Sequence, residues 1–500
     1  MKARKVVIWV TAAVIAVAIV AGLAIMLIPR LSKAEEVATT PFWPTEGWRS
    51  STPEEQGFDS VKLAEGLLAM QKQDIDIHSL LIIRNGSVIL DAYFSPYDGS
   101  FPHDLASVTK SVMTTLIGIA ADQGKIVLDQ PMLAYFSGRT IANLDERKEK
   151  ITVRHLAGMV NGFVSGDIAG DEITLNAMRG SPDWVQAALD REMLQEPGKS
   201  FCYDSPGMHL LSAILQEATG MTALDFARQY LFEPLGIDEV AWETDPQGYT
   251  HGWGDLHLKP LDAAKIGYLW LNHGAWEGKQ IVSADWVRNS VKAQVDGIDD
   301  GYGYGWWVSK DSYYAFGRGG QNIKIVPSLN TVIVTTASNL EYDQIVPYLL
   351  AAVVDPEQAL APNPEGVARL NEALDEILQP QAAQASIPPP ETARRISGKV
   401  YTFERNSIKL ESMSFKFDGA SQADLQLKLE GSNQLVEGAI GLDGKYVFSA
   451  IGWGLRGYWA GPQTFILDIF DKGQTLYRLS FQGEAMLLDS EGVKIEGKVK

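Results

Sequence analysis

Ser107-Val108-Thr109-Lys110 is the one place in the chain where a serine stands three residues before a lysine, and it opens an apolar-periodic stretch that stops at Gly124. Residues three apart on a helix share a face, so a lysine nitrogen there reaches the serine hydroxyl. A serine hydroxyl is a poor nucleophile until a base takes its proton, and a lysine does so only as the neutral amine. Moving a lysine from about 10.4 to about 7 takes roughly 4.6 kcal/mol of differential solvation, which calls for burial. Leu105, Ala106, Val108, Val112 and Met113 provide apolar surroundings. A helix start adds backbone N–H groups and positive potential where a tetrahedral oxyanion would form. The bland reading of the same residues is a helix cap at Ser107 and a solvated Lys110. Farther along, Tyr203-Asp204-Ser205 puts a phenol and a short hydroxyl in a turn ahead of a second helical stretch, Gly207 to Ala218. Here the alternatives are a packed aromatic and an N-cap.

The elements that must hold these residues are legible from periodicity. Ser60 to Gln71 carries apolar residues at helical spacing, and Ser79–Ile83 and Ser87–Leu90 flank Asn85-Gly86, a strong hairpin signal. Helical patterns dominate from Ser107 to Thr219, and two further apolar strands, Gln321 to Pro327 and Thr331 to Ala337, flank a turn. Strands at both ends with helices between predict an α+β domain around one mainly antiparallel sheet. After a last helical pattern, Val367 to Leu378, prolines crowd residues 379–391, which predicts a linker. Short strand-like runs beyond it, among them Leu425–Leu429, Lys445–Phe448, Phe465–Ile469 and Leu476–Leu479, predict a small all-β domain over 392–500, a barrel or curled sheet.

No residue between Val6 and Ile28 is charged, and Lys2, Arg4 and Lys5 precede that run. Its length suffices for a hydrocarbon core of about 30 Å. The expectation is a cytoplasmic tip and signal-anchor over residues 1–33, with residues 34–378 as the first domain on the extracytoplasmic side. Cleavage as a secretory signal is the alternative. Lys+Arg of 43 against Asp+Glu of 62 gives a net charge of −19, which repels phosphate backbones, so nucleic acid is not an expected partner. Cys202 is the sole cysteine, and the seven histidines form no His-Glu-x-x-His pattern, so no metal or other cofactor is expected. His155 and His209 are read as satisfying local hydrogen bonds, while His251 and His257, near Trp253, and the pair Trp306 and Trp307 are read either as cleft lining or as core.

With these residues in hand the chain resembles the penicillin-binding, class C β-lactamase-related family of serine hydrolases, over roughly Gly57 to Val354. Ser107-x-x-Lys110 looks like its first motif and Tyr203-x-Ser205 like its second, where penicillin-active members usually have Tyr-x-Asn. Ile151–Leu156, Glu196-Pro197-Gly198, Glu233–Gly236 and Leu261–Lys265 match recurrent family text. Tyr302–Trp307 with Gly319-Gly320-Gln321 is most like the branch of 6-aminohexanoate-dimer hydrolase and related esterases.

The resemblance implies a β-lactamase/transpeptidase-like domain, with an antiparallel sheet and a helical subdomain, and an acyl-enzyme on Ser107. Lys110 and Tyr203 would handle the proton, and the backbone N–H groups of Ser107 and Arg318 would form the oxyanion hole. Ser205, Arg318, Gly319, Gly320 and Gln321 are the implied substrate-binding candidates. The third motif departs from the family: Ala315-Phe316-Gly317 stands where penicillin-active relatives have Lys-Thr-Gly, so the cation that grips a substrate carboxylate is missing unless Arg318 replaces it. The expected partner is a small-molecule or peptide-like acyl substrate carrying an ester or linear amide. Penicillin binding, peptidase activity on cell-wall peptides and a silent ligand-binding relative are the alternatives.

Overall fold

A strand covered on both faces needs apolar side chains at successive positions, because alternate residues point to opposite sides. Ile77–Arg84 meets that condition, and every one of its residues is buried. The computed structural model describes residues 42–499 apart from 166–167, 296–300, 380–387 and, toward the C-terminus, 418, 420, 431–434, 450–452, 471–473 and 491–492. The expected anchor over 1–33 lies outside the described residues, as do residues 380–387 of the expected linker. Among the described residues no helix is long and apolar enough to cross a membrane.

Ile77–Arg84 sits inside an eight-stranded sheet, between Ser87–Tyr93 and Thr331–Ala337. Beyond Thr331–Ala337 the order continues through Gln321–Val326, Tyr313–Gly317, Trp307–Val308 and Gly301–Tyr302, all antiparallel. The other edge is Arg49–Ser50, which pairs parallel to Ser87–Tyr93. Asn85 and Gly86 both take positive φ, as the tight hairpin between the first two long strands requires. Leu80 and Ile82 face a core shared with the helices Ser60–Lys72 and Pro364–Leu378. Leu81 and Ile83 face a larger core that takes in Val112, Leu116, Trp270 and the helical subdomain.

The helix Val108–Asp122 is buried along nearly its whole length between that sheet and the helix Ser205–Thr219. Gly305 lets a loop close over it: a Cβ there would lie 2.4 Å from Thr114 Oγ1, and Ser111 Oγ donates to the Gly305 carbonyl at 2.5 Å. A three-stranded ribbon, with Leu256–Leu258 between His103–Asp104 and Ala241–Trp242, leads into the start of the helix.

Past the helix Glu391–Ile396, ten antiparallel strands run from Val400–Phe403 to Val493–Val499. The first and last of them pair, and Gly441 meets Arg456 across the remaining gap, closing the sheet into a barrel. Tyr401, Phe415, Trp459, Phe465 and Phe481 fill its interior. Phe448 and Phe470 of the barrel pack on Tyr97, in the connection that leads from Ser87–Tyr93 to the ribbon.

Candidate active site

Ser107 stands at the N-cap of the helix Val108–Asp122, yet its side chain makes no capping bond. Its Oγ instead accepts from Lys110 Nζ at 2.8 Å. This separates the two readings of the Ser-x-x-Lys spacing, because a capping serine would point its oxygen at backbone N–H groups one turn on. Lys110 is 1% exposed, and its Nζ also donates to the Trp253 carbonyl at 2.8 Å and lies 4.8 Å from the ring centroid of Tyr203. Ala106, just before Ser107, holds φ at +45°, a conformation that costs a side-chain-bearing residue about 1–3 kcal/mol. Asp104 Oδ1 accepts from Ala106 N at 2.8 Å, Leu105 N donates to Leu256 O at 2.9 Å and Thr109 Oγ1 donates to Ala106 O at 2.6 Å. Those bonds hold the turn.

Tyr203 is buried beside Lys110 and lies near-parallel to Trp307. The residue after it anchors the loop. Asp204, fully buried, takes two bonds from Arg191, at 2.5 and 3.0 Å, and one from Asn161 Nδ2 at 2.8 Å. A buried carboxylate survives only with such partners. Ser205 is the first helical residue, not the cap. Its N–H and hydroxyl donate to the two oxygens of Asp171, at 2.6 and 2.7 Å. Burial pushes the Asp171 carboxyl above the usual carboxylate range, opposed by the charge of Lys110 and the bonds from Ser205. No local motif marks Asp171 or Arg191, and the sequence reading passed over both. The Trp253 carbonyl was equally invisible, since any residue type carries one.

The strand Tyr313–Gly317 passes so close to the turn before Ser107 that a Cβ on Gly317 would lie 2.5 Å from Leu105 O and 3.0 Å from Ser107 N. That approach puts the next residue, Arg318, beside the start of the helix. Ala315 is fully buried, and Phe316 faces the cleft. The Arg318 side chain is about two-thirds exposed on the cleft wall, 3.4 Å from Glu172.

Gly319 also lines the cleft, whereas Gly320 and Gln321 lie outside its lining. Gly320 is pressed against Leu340, where a Cβ would come within 2.5 Å of the Leu340 Cβ. Gln321 is buried and bonds both the carbonyl and the N–H of Ala337, clamping two strands. Trp306 belongs to the core and Trp307 to the cleft. His155 serves a capping box with Thr152, and His209 bonds Asp245 at 3.1 Å. His251 is buried between Trp184 and Trp253, and neither it nor His257 lines the cleft.

The cleft encloses about 740 Å³ in front of Ser107, Tyr203 and Ser205. Asp104, Asp171, Glu172, Asp255 and Glu341 line it, against Arg179 and Arg318. Among the described residues, Glu243, His251 and Asp255 bring three ligand-type atoms within 4.8 Å of one another. His251 Nδ1 is 2.8 Å from Asp255 Oδ2, so this cluster is already joined by a hydrogen bond.

A family profile described as Beta-lactamase matches residues 68–354. Among curated proteins, 6-aminohexanoate-dimer hydrolase of Paenarthrobacter ureafaciens is 24% identical over 297 residues, covering 52% of this chain and 72% of that one. Penicillin-binding protein 4 of Amycolatopsis lactamdurans is 28% identical over 202 residues, covering 38% of this chain and 50% of that one. Among solved structures, a Bacillus anthracis protein provisionally named 6-aminohexanoate-dimer hydrolase superposes with a TM-score of 0.51 at 18% identity. It covers 66% of this chain and 87% of its own, a likeness of fold.

The Arg191–Asp204 pair generates a stability prediction. Arg191→Met leaves a buried carboxylate without its cation and is expected to cost about 3–5 kcal/mol, read as the denaturant midpoint of the first domain. The exposed pair Arg288–Asp285 is the control, and Arg288→Ala should change the midpoint by less than about 1 kcal/mol. Equal effects of the two substitutions would show that Asp204 does not depend on its partner.

Proposed function

The chain belongs to the beta-lactamase family, and from that premise we propose that it is an exported serine hydrolase that cleaves an ester or linear amide through an acyl-enzyme on Ser107. The observation that carries the reading is the 2.8 Å contact between Lys110 Nζ and a Ser107 hydroxyl that takes no part in helix capping.

In this reading Ser107 Oγ attacks the carbonyl carbon as its proton passes to the Lys110–Tyr203 pair. The carbonyl oxygen takes the negative charge and is met by the backbone N–H groups of Ser107 and Arg318. The close approach of Gly317 to the Ser107 N–H supports this placement. Collapse of the intermediate breaks the bond to the leaving group, which accepts the proton from the same pair. Water then attacks the acyl carbon, the acid departs and Ser107 regains its hydrogen. Asp171 draws the Ser205 proton to itself, so Ser205 Oγ faces the cleft as an acceptor.

Substrate preference follows from charge. The position of the family's carboxylate-gripping lysine is the buried Ala315, and carboxylates outnumber guanidinium groups around the cleft. An amine-bearing acyl or leaving group is therefore favoured over a carboxylate-bearing one. The name of the Paenarthrobacter relative, a hydrolase of an aminohexanoate dimer, supports a linear amide as the scissile bond; that dimer carries both an amine and a carboxylate. Export is proposed on the uncharged run from Val6 to Ile28 and its basic flank.

Three experiments test this reading. Ser107→Ala should abolish both fluorophosphonate labelling and turnover of a p-nitrophenyl ester. Lys110→Ala and Tyr203→Phe should each lower the rate about a hundredfold or more, and the double variant little beyond the worse single one. Activity of the Ser107 variant above about a hundredth of the parent would remove the nucleophile assignment.

Comparison of benzylpenicillin, a neutral p-nitrophenyl ester and an amino-acid p-nitroanilide on parent and Arg318→Ala protein tests specificity. The expected order places penicillin last by kcat/KM in both proteins. Efficient penicillin turnover that disappears with Arg318 would reverse the specificity argument and assign the carboxylate grip to that guanidinium.

Fractionation of expressing cells tests the anchor, which should keep the intact chain in the membrane fraction. Recovery of a soluble form beginning near residue 35 would replace the anchor with a cleaved signal.

A further inference from the structure

Behind the nucleophile turn, side chains from separate segments form one hydrogen-bonded row. Ser338 Oγ lies 2.9 Å from His78 Nε2, His78 Nδ1 lies 2.8 Å from His103 Nε2, and His103 Nδ1 lies 2.8 Å from the Asp104 carbonyl. Both imidazoles are buried.

Donor and acceptor roles follow from the end of the row. A carbonyl only accepts, so His103 Nδ1 carries a hydrogen, and on a neutral ring His103 Nε2 is then an acceptor. His78 Nδ1 then donates to it, and His78 Nε2 is left to accept from the Ser338 hydroxyl. Two neutral rings satisfy the whole row. With His78 holding its hydrogen on Nδ1, hydrogen on His103 Nε2 would set two N–H groups against each other. The Asp76 carboxylate lies 3.5 Å from His78 Nε2 at the outer end, where its charge favours hydrogen on that nitrogen and so opposes this arrangement; the ring spectrum decides between the two.

The two ends of the row touch the two sides of the oxyanion site. At one end, Asp104 accepts from Ala106 N and so holds the turn that presents Ser107. At the other, a Cβ on Gly319 would lie 2.8 Å from the Ser338 carbonyl, and Leu340 N donates to Gly319 O at 3.0 Å, so the Ser338 segment backs the residue after Arg318. The barrel closes over the middle. Tyr97 stacks on His78 at 3.9 Å, and Phe470 packs on both, 5.1 Å from Tyr97 and 6.0 Å from His78. Phe448 stacks on Phe101 of the same connection at 3.5 Å.

We propose that the C-terminal barrel, through Phe470 and Phe448, seals the His78–His103 row, and that this row sets the separation of the two backbone donors at Ser107 and Arg318. His78 and His103 are then positioning residues for hydrolysis, and the barrel is a working part of the active site. The inference rests on the serine hydrolase reading, because an oxyanion site is what the row would tune.

The test uses the full chain, with p-nitrophenyl ester turnover at Ser107 as one readout and the ring ¹⁵N shifts of the histidines as a second that needs no activity. His103→Leu should lower kcat by about thirtyfold or more with KM within about threefold, since displacing a donor acts on the transition state. His103→Gln places an amide oxygen where it accepts from His78 and should recover kcat to within about fivefold of the parent. Phe470→Ala, outside the first domain, should lower kcat about tenfold. The parent spectrum should show both rings carrying hydrogen on Nδ1 and none on Nε2.

Parent-like kcat in His103→Leu and Phe470→Ala would overturn the proposal, as would His103→Gln failing as badly as His103→Leu. A parent that leaves the ester intact overturns the hydrolase reading instead. In that case the ring shifts decide the row alone, and hydrogen on Nε2 of either ring overturns it.

Discussion

One buried amine organises the centre of this molecule. Lys110 Nζ bridges Ser107 Oγ and the Trp253 carbonyl and lies against the Tyr203 ring. A buried amino group is costly unless its hydrogens are taken, and here the acceptors come from its own helix and from the loop before Leu256–Leu258, with the Tyr203 ring packed alongside. Each of those segments is in turn fixed elsewhere: the turn before the helix by Asp104 and Leu256, the Tyr203 loop by Asp204 with Arg191 and Asn161. The lysine thus depends on the tertiary fold for its position as much as on its spacing from Ser107.

Close packing supplies the second constraint. Gly317 and Gly305 bring a strand end and a loop to the nucleophile helix at distances no side chain would allow. The sheet behind can hold them there because both its faces are covered, by the helices Ser60–Lys72 and Pro364–Leu378 on one side and the helical subdomain on the other. A site built on such elements is rigid by construction, which is what preorganised electrostatic stabilisation asks of a protein.

More carboxylates than guanidinium groups line the cleft. Ala315 is buried, Arg318 is turned toward Glu172, and Ser205 donates its hydrogen to Asp171.

The arrangement was legible in the sequence wherever it is local. Ser107 and Lys110 lie within one helical turn, Asn85-Gly86 demands positive φ, and alternating runs such as Leu425–Leu429 declare strands, so spacing alone placed them. Tyr203 was read from the resemblance of Tyr203-x-Ser205 to a family motif, and the structure buries it beside Lys110. The tertiary structure alone decided the rest: that Trp253 offers Lys110 its carbonyl, that Asp171 and Arg191 reach into the Tyr203 loop, and that Gly320 and Gln321 serve strand packing while their neighbour Gly319 faces the cleft. It also sent Trp306 into the core and Trp307 to the cleft. The reason is physical. A backbone carbonyl has no residue type, a carboxylate arriving from a distant helix leaves no spacing to read, and which of two adjacent side chains meets solvent is settled only when the sheet is packed.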